Sequence, residues 1–166
     1  MVSVINKAKK IRVVLTDVDG VLTDGGMYYS VKGDIMKKFF VRDGMGITLL
    51  RKIGIPTILV TKEKNLIITQ WAKKMKVNQV YDGVQDKALI LPKVCKNYDV
   101  TPEQVVYIGD DINDLELLKI VGLSVTPNDG IADAKKICDY VCKTDGGHGV
   151  FREIADMIIS STKVKS

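Results

Sequence analysis

The chain has 166 residues, 46% hydrophobic and 27% charged, which suits about one globular domain with a single substantial core. No apolar run approaches the ~18–20 residues a bilayer span needs, and the first ten residues carry lysines without the apolar segment of a secretory signal. The formal net charge is +5, but the basic residues are scattered and few aromatics interleave with them, so attraction of a small anionic substrate explains the charge better than nucleic-acid binding.

The first apolar run predicts a strand over Ile11–Thr16. It delivers Asp17-Val18-Asp19-Gly20-Val21-Leu22-Thr23-Asp24. Two carboxylates one residue apart repel each other unless a cation sits between them. Hard oxygen ligands of this kind suit Mg²⁺, which fills its other positions with water and phosphate. Gly20 permits a turn directly behind the pair. This stretch reads as a metal-dependent phosphoryl-transfer site.

Two extended runs follow, Gly26–Val31 and Ile35–Val41, around Lys32-Gly33-Asp34. They predict a β-hairpin that covers the site, pairs with another subunit, or is an ordinary surface hairpin. Beyond it, strands are expected at Pro56–Thr61, Gln79–Tyr81, Gln104–Ile108, Leu123–Val125 and Tyr140–Val141. Helices are expected at Met45–Ile53, Lys64–Met75, Lys87–Tyr98, Asp114–Val121, Ile131–Lys136 and Val150–Ser160. The alternation implies an α/β fold, a mostly parallel sheet with helices on both faces.

In open α/β sheets, ligands bind beyond the carboxyl ends of the strands. Four polar features map there: the Asp17/Asp19 pair, Thr61, Lys87 at a helix start, and Gly109-Asp110-Asp111-Ile112-Asn113-Asp114. Together they supply a nucleophile, a hydroxyl, a cation and further acids. The physical logic is complete, because Mg²⁺ and Lys87 offset the repulsion between an attacking carboxylate and a phosphate. Splitting hydrolysis into two steps lets Asp19 serve first as acid and then as base.

Other readings fit less well. An EF-hand loop needs its glycine later and a glutamate at position twelve. A receiver domain places its acids on different strands. Cys95, Cys138 and Cys142 form an odd, sparse set that favours a reducing cytoplasm. No histidine near Cys138 and Cys142 completes a zinc site. His148, the only histidine, lies in a Gly-rich turn, and Trp71 reads as packing.

At these motifs, over about Ile11 to Glu153, the chain resembles the haloacid dehalogenase superfamily of phosphotransferases. The resemblance implies a Rossmann-like fold spanning 1–166 as one domain, with a β-hairpin insert at about 26–41 in place of a cap domain. By position it makes Asp17 the nucleophile that forms an aspartyl-phosphate and Asp19 the acid and base. Thr61 and Lys87 hold the phosphate. Asp17, Asp19 and Asp110 hold Mg²⁺, with Asp111 and Asp114 in support.

A narrower resemblance is to the capless branch that includes 3-deoxy-octulosonate 8-phosphate and nonulosonate 9-phosphate phosphatases. The same branch supplies the C-terminal module of sialic-acid cytidylyltransferases. Three features carry it: the hairpin, Val41-Arg42-Asp43-Gly44-Met45-Gly46-Ile47, and Gly146-Gly147-His148-Gly149-Val150-Phe151-Arg152-Glu153. It implies a homotetramer whose tail, about 146–166, reaches toward a neighbouring subunit's site. Arg42, Asp43 and Gly44 become substrate-binding residues, although Arg42 and Asp43 also read as a cap for the helix at Met45. The second motif departs from the octulosonate pattern Thr/Ser-Gly-Arg, since this chain has Thr61-Lys62-Glu63. Glu63 and Lys74 are more like the nonulosonate enzymes. The expected activity is a Mg²⁺-dependent phosphatase acting on an eight- or nine-carbon 2-keto-3-deoxy sugar acid phosphate in the cytoplasm. The competing expectation is a non-catalytic oligomerisation module.

Overall fold

The computed structural model describes residues 4–163; the last three residues of the expected tail lie outside that range. Six strands form one parallel sheet: β1 (Val13–Thr16), β4 (Thr57–Val60), β5 (Gln79–Tyr81), β6 (Val105–Ile108), β7 (Leu123–Thr126) and β8 (Tyr140–Val141). Their spatial order is β5-β4-β1-β6-β7-β8. β2 (Tyr28–Ser30) and β3 (Gly33–Met36) form a separate antiparallel hairpin.

The strands with all residues buried, β1, β4, β6 and β7, have helices on both faces. Alternation along β1 sends Val14 to one core and Val13 and Leu15 to the other. The first core packs under α1 (Val4–Ala8), α2 (Val41–Lys52), α3 (Leu66–Met75) and α7 (Val150–Lys163). The second lies under α4 (Ile90–Tyr98), α5 (Leu115–Ile120) and α6 (Ala132–Ile137). In α7, Phe151, Ile154, Ala155 and Ile158 are buried at helical spacing. A Cβ on Gly46 of α2 would stand 3.2 Å from Phe151 and 3.3 Å from Ala155, so the glycine allows α2 and α7 to pack closely.

Several boundaries differ from the sequence expectation. The hairpin strands are shorter, and its turn is at Val31-Lys32. Val41, expected to end a strand, opens α2, four residues before the expected start. Lys87–Leu89 is a 3₁₀ turn ahead of α4 rather than its first turn. The hairpin leaves Met27, Tyr29, Val31 and Ile35 exposed.

The strand order reverses at β1, which has β4 on one side and β6 on the other. That crevice is where an open α/β sheet receives ligands. Asp17 follows β1 and Asp110 follows β6, so both acids stand at its mouth.

Candidate active site

Asp17 is anchored through its backbone, whose N–H donates to Ile108 of β6 at 2.9 Å. Its Oδ1 accepts from the Val18 N–H at 2.7 Å, and its Oδ2 pairs with Lys87 Nζ at 2.8 Å. Asp86 aims Lys87 by capping the 3₁₀ turn through the Ala88 N–H. The ammonium also reaches Asp114 Oδ1 at 2.6 Å. Tyr107 from β6 donates its hydroxyl to the same Asp114 oxygen at 2.5 Å. The other Asp114 oxygen accepts from the Asp110 and Asp111 N–H groups, at 2.9 and 3.1 Å. Asp114 is thus fully buried and fully partnered, and it pins the acidic loop and the lysine together.

Asp17, Asp110 and Asp114 offer oxygens within 4.8 Å of one another. Burial, then repulsion from Asp114, pushes Asp17 up to about 7 despite Lys87. Burial, then Asp17 and Asp114, pushes Asp110 up to about 8. Burial pulls the Lys87 ammonium down, but Asp17 and Asp114 outweigh it, so its pKa lies above the ordinary lysine value.

The donor set fits a hard divalent cation. Among the described residues, Asp110 Oδ1 is buried without a hydrogen-bond partner. A Cβ on Gly20, which holds φ +85°, would lie 2.0 Å from Asp110 Oδ2, so the loop leaves room for that carboxylate only as glycine. With Asp114 saturated by donors, Asp17 and Asp110 are the carboxylates free to bind a metal ion. Asp19 is not in this group of three. Its Oδ1 accepts from Lys37 Nζ at 2.7 Å and from Thr23 Oγ1 at 3.3 Å. Asp19 Oδ1 is thus engaged by Lys37 and Thr23.

Around the acids lies a cleft of about 190 Å³ lined by Asp17, Asp19, Thr61, Lys62, Glu63, Asp110, Asp111 and Asn113. Thr61 directly follows β4, and its Oγ1 accepts from the Glu63 N–H at 3.2 Å. Asp111 caps the short turn Ile112–Asp114. A larger depression, about 580 Å³, lies at the opposite, amino-terminal end of the strands beside Arg12, Arg51 and Tyr98. It contains none of the acids.

The expected specificity residues are dispersed. Glu63 lines the cleft and pairs with Lys37 at 3.0 Å. Lys74 stands exposed on α3 and is not among the residues lining the cleft. Asp43 is fully buried, and its Oδ1 accepts from the Arg152 N–H at 2.8 Å. It caps α7 rather than its own helix, and burial raises it to about 6 against the N–H groups of Arg152, Phe151 and Gly149. Gly44 is buried against α3, where a Cβ would lie 2.5 Å from the Met75 sulfur. Asp43 and Gly44 are therefore packing positions in this structure. Arg42 is exposed and borders a groove with His148 and Arg152. The Gly146–Gly149 turn folds back on its own chain, where the Gly147 N–H donates to the Val21 carbonyl at 2.9 Å. Sequence reasoning missed Lys37 and Tyr107, since nothing in the local pattern marks either one.

A family model for haloacid dehalogenase-like hydrolases matches residues 56–154. The chain belongs to that family. The 3-deoxy-D-manno-octulosonate 8-phosphate phosphatase of Haemophilus influenzae is 36% identical over 155 residues, 93% of this chain and 86% of that protein. The corresponding protein of Escherichia coli K12 is 34% identical over 160 residues, 94% of this chain and 83% of its own. The cobalt-bound deoxy-D-mannose-octulosonate 8-phosphate phosphatase from H. influenzae superposes with a TM-score of 0.91 at 36% identity, covering 94% of this chain and 91% of that one. The octulosonate 8-phosphate phosphatase of Moraxella catarrhalis, in complex with magnesium ion, phosphate ion and a KDO molecule, superposes at 0.93 with 30% identity, covering 97% and 92%. The family and the fold expected from the sequence are both borne out.

Proposed function

We propose that this chain, as one domain, is a Mg²⁺-dependent phosphatase that removes the terminal phosphate of a 2-keto-3-deoxy sugar acid, octulosonate 8-phosphate first among them. The observation that carries the reading is Lys87, buried between Asp17 and Asp114 beside an unpartnered Asp110 oxygen. A cation buried directly behind the nucleophile, at the floor of a cleft lined by Asp17 and Asp110, offsets the negative charge that an incoming phosphate brings. The named relatives support the substrate class.

Asp17 and Asp110 would hold the metal. When bound, Mg²⁺ neutralises carboxylate and phosphate charge and orients the phosphate. Asp17 then attacks phosphorus and carries the phosphoryl group as an aspartyl-phosphate. Asp19 protonates the leaving sugar oxygen and afterwards takes the proton of the attacking water. Lys87 and Thr61 hold the phosphate oxygens. Asp111 and Asp114 act indirectly, by fixing the turn that presents Asp110.

A second substrate reading has one observation behind it. Glu63 places an acid in the cleft where the octulosonate pattern carries arginine, which favours a nonulosonate 9-phosphate. Phosphate release from the two sugar acids, compared at equal concentration, decides between them. Preference for the nine-carbon substrate would overturn the first reading. Absence of release from either would leave the oligomerisation module as the better account. We further propose a cytoplasmic homotetramer, supported by the apolar hairpin surface and by similarity to the capless branch. Among the described residues no helix is long and apolar enough to cross a membrane.

A further inference from the structure

Lys37 directly follows β3, and its side chain is only 3% exposed. Three carboxylates surround its ammonium: Asp19 Oδ1 at 2.7 Å, Glu63 Oε2 at 3.0 Å and Asp34 Oδ2 at 3.5 Å. Asp34 Oδ2 also accepts from Asn65 Nδ2 at 3.0 Å. One cation therefore joins the loop after β1, the loop after β4 and the foot of the hairpin. The two oxygens of Asp19 are not equivalent. Lys37 and Thr23 both bind Oδ1, whereas Oδ2 is buried without a partner among the described residues.

We propose that Lys37 is a positioning residue for the acid–base step: it clamps Asp19 by Oδ1 and leaves Oδ2 to give and take the proton. The proposal rests on the phosphatase reading above. In the first half-reaction a bond forms between an Asp17 oxygen and phosphorus, the bond from phosphorus to the sugar oxygen breaks, and the proton on Asp19 Oδ2 passes to that oxygen. In the second, a water oxygen bonds to phosphorus, the Asp17 oxygen leaves, and the water proton returns to Oδ2. Lys37 gives up no proton in either half. Burial pulls its ammonium down, but Asp19 and Glu63 outweigh burial and hold its pKa above the ordinary lysine value.

A leaving group that needs no proton separates this role from a purely structural one. Wild type, Lys37→Gln, Lys37→Arg and Asp34→Asn are assayed with Mg²⁺ on octulosonate 8-phosphate and on p-nitrophenyl phosphate. General acid–base catalysis contributes roughly 10²–10⁴-fold, so Lys37→Gln should lose about tenfold or more in kcat on the sugar phosphate and less than about threefold on the aryl phosphate. KM should move little. Lys37→Arg should recover part of the loss. Asp34→Asn, which weakens the Lys37 contact within the hairpin and leaves those to Asp19 and Glu63 in place, should keep the wild-type ratio of the two rates. Equal losses on both substrates, or none, in a Lys37→Gln variant that melts like wild type would overturn the proposal while leaving the phosphatase reading intact. If Lys37→Gln does not fold, Thr23→Val carries the test, because it removes the other Oδ1 donor. A smaller loss with the same leaving-group pattern supports the clamp, and equal loss on both substrates overturns it. A wild type inactive on both substrates overturns clamp and phosphatase together.

Discussion

The Asp43 carboxylate in the first turn of α2 accepts a hydrogen bond from the Arg152 N–H in the first turn of α7, at 2.8 Å and across 109 positions of sequence. The contact satisfies a backbone donor that a helix start leaves open, and it fixes the two helices that Gly46 lets pack closely. Asp43→Ala should therefore cost about 2 kcal/mol of stability. Asp43→Asn, which keeps an acceptor, should cost less. Urea unfolding measures both. At temperatures where the variants remain folded, kcat on a sugar-acid phosphate should stay within about twofold of wild type, an expectation that follows from the burial of Asp43 away from solvent.

Lys87 neutralises two buried acids, so removing it leaves charge without a partner. Lys87→Met should abolish measurable phosphate release. It should also lower stability by several kcal/mol, on the order of 3–5 when the acids are ionised. The thermal shift should be larger at pH 8 than at pH 6, because Asp17, raised to about 7, is largely protonated at the lower pH and largely ionised at the higher, while Asp110, raised to about 8, begins to ionise over the same interval.

The same acids set a pH dependence for the metal-free protein. Asp43, Asp17 and Asp110 are raised to about 6, about 7 and about 8. In the window from about pH 4 to about pH 8 the native state therefore binds more protons than the unfolded chain, and its stability falls as pH rises. Lys87 is protonated in both states throughout that window and adds no slope. Melting followed by circular dichroism without metal should show a decreasing Tm from pH 5 to pH 8. Mg²⁺ competes with protons for Asp17 and Asp110, so its stabilisation should be greater at pH 8 than at pH 6.

Gly20→Ala tests the room left for Asp110. The added Cβ meets the Asp110 carboxylate at 2.0 Å and also strains a backbone at φ +85°. The variant should need roughly tenfold or more Mg²⁺ for half-maximal activity, since metal affinity depends on carboxylate placement. A Mg²⁺ titration of phosphate release reads this directly.

The hairpin carries the assembly prediction. Val31 at its tip is fully exposed, with Met27, Tyr29 and Ile35 exposed around it. An apolar surface of this kind marks an interaction site. Light scattering should give a tetramer for wild type and a smaller species for Val31→Asp.

How much the sequence disclosed depended on whether the signal was local. The buried strands β1, β4 and β6 read as apolar runs, and their ends fell within two residues because each run stops at a polar residue or glycine at the carboxyl end of its strand. The acids of the proposed site, Thr61 and Lys87 were legible because each sits beside the end or the start of an element. Asp114 was legible as an acid but not as the partner of Tyr107, since the tyrosine sits in a run that any buried strand would show. Lys37 was hidden for a similar reason. It looks like one more surface lysine beside Lys38, and only the folding of the hairpin onto Asp19 brings it in. The start of α2 was placed late because the expected hairpin strand ran on to Val41, which opens the helix instead. Gly44 and Gly46 lie inside the helix, where their small size lets Met75, Phe151 and Ala155 approach. That Asp43 caps α7 rather than its own helix was not legible, because its partner lies in a distant helix.

The central claim is that Asp17 is the nucleophile of a metal-dependent phosphatase. Inorganic phosphate released from octulosonate 8-phosphate tests it most directly, with wild type and Asp17→Asn compared with and without Mg²⁺. The account predicts release by wild type only with Mg²⁺, and none by Asp17→Asn under either condition. Release by Asp17→Asn at the wild-type rate, or a well-folded wild type that releases no phosphate with Mg²⁺ present, would contradict it.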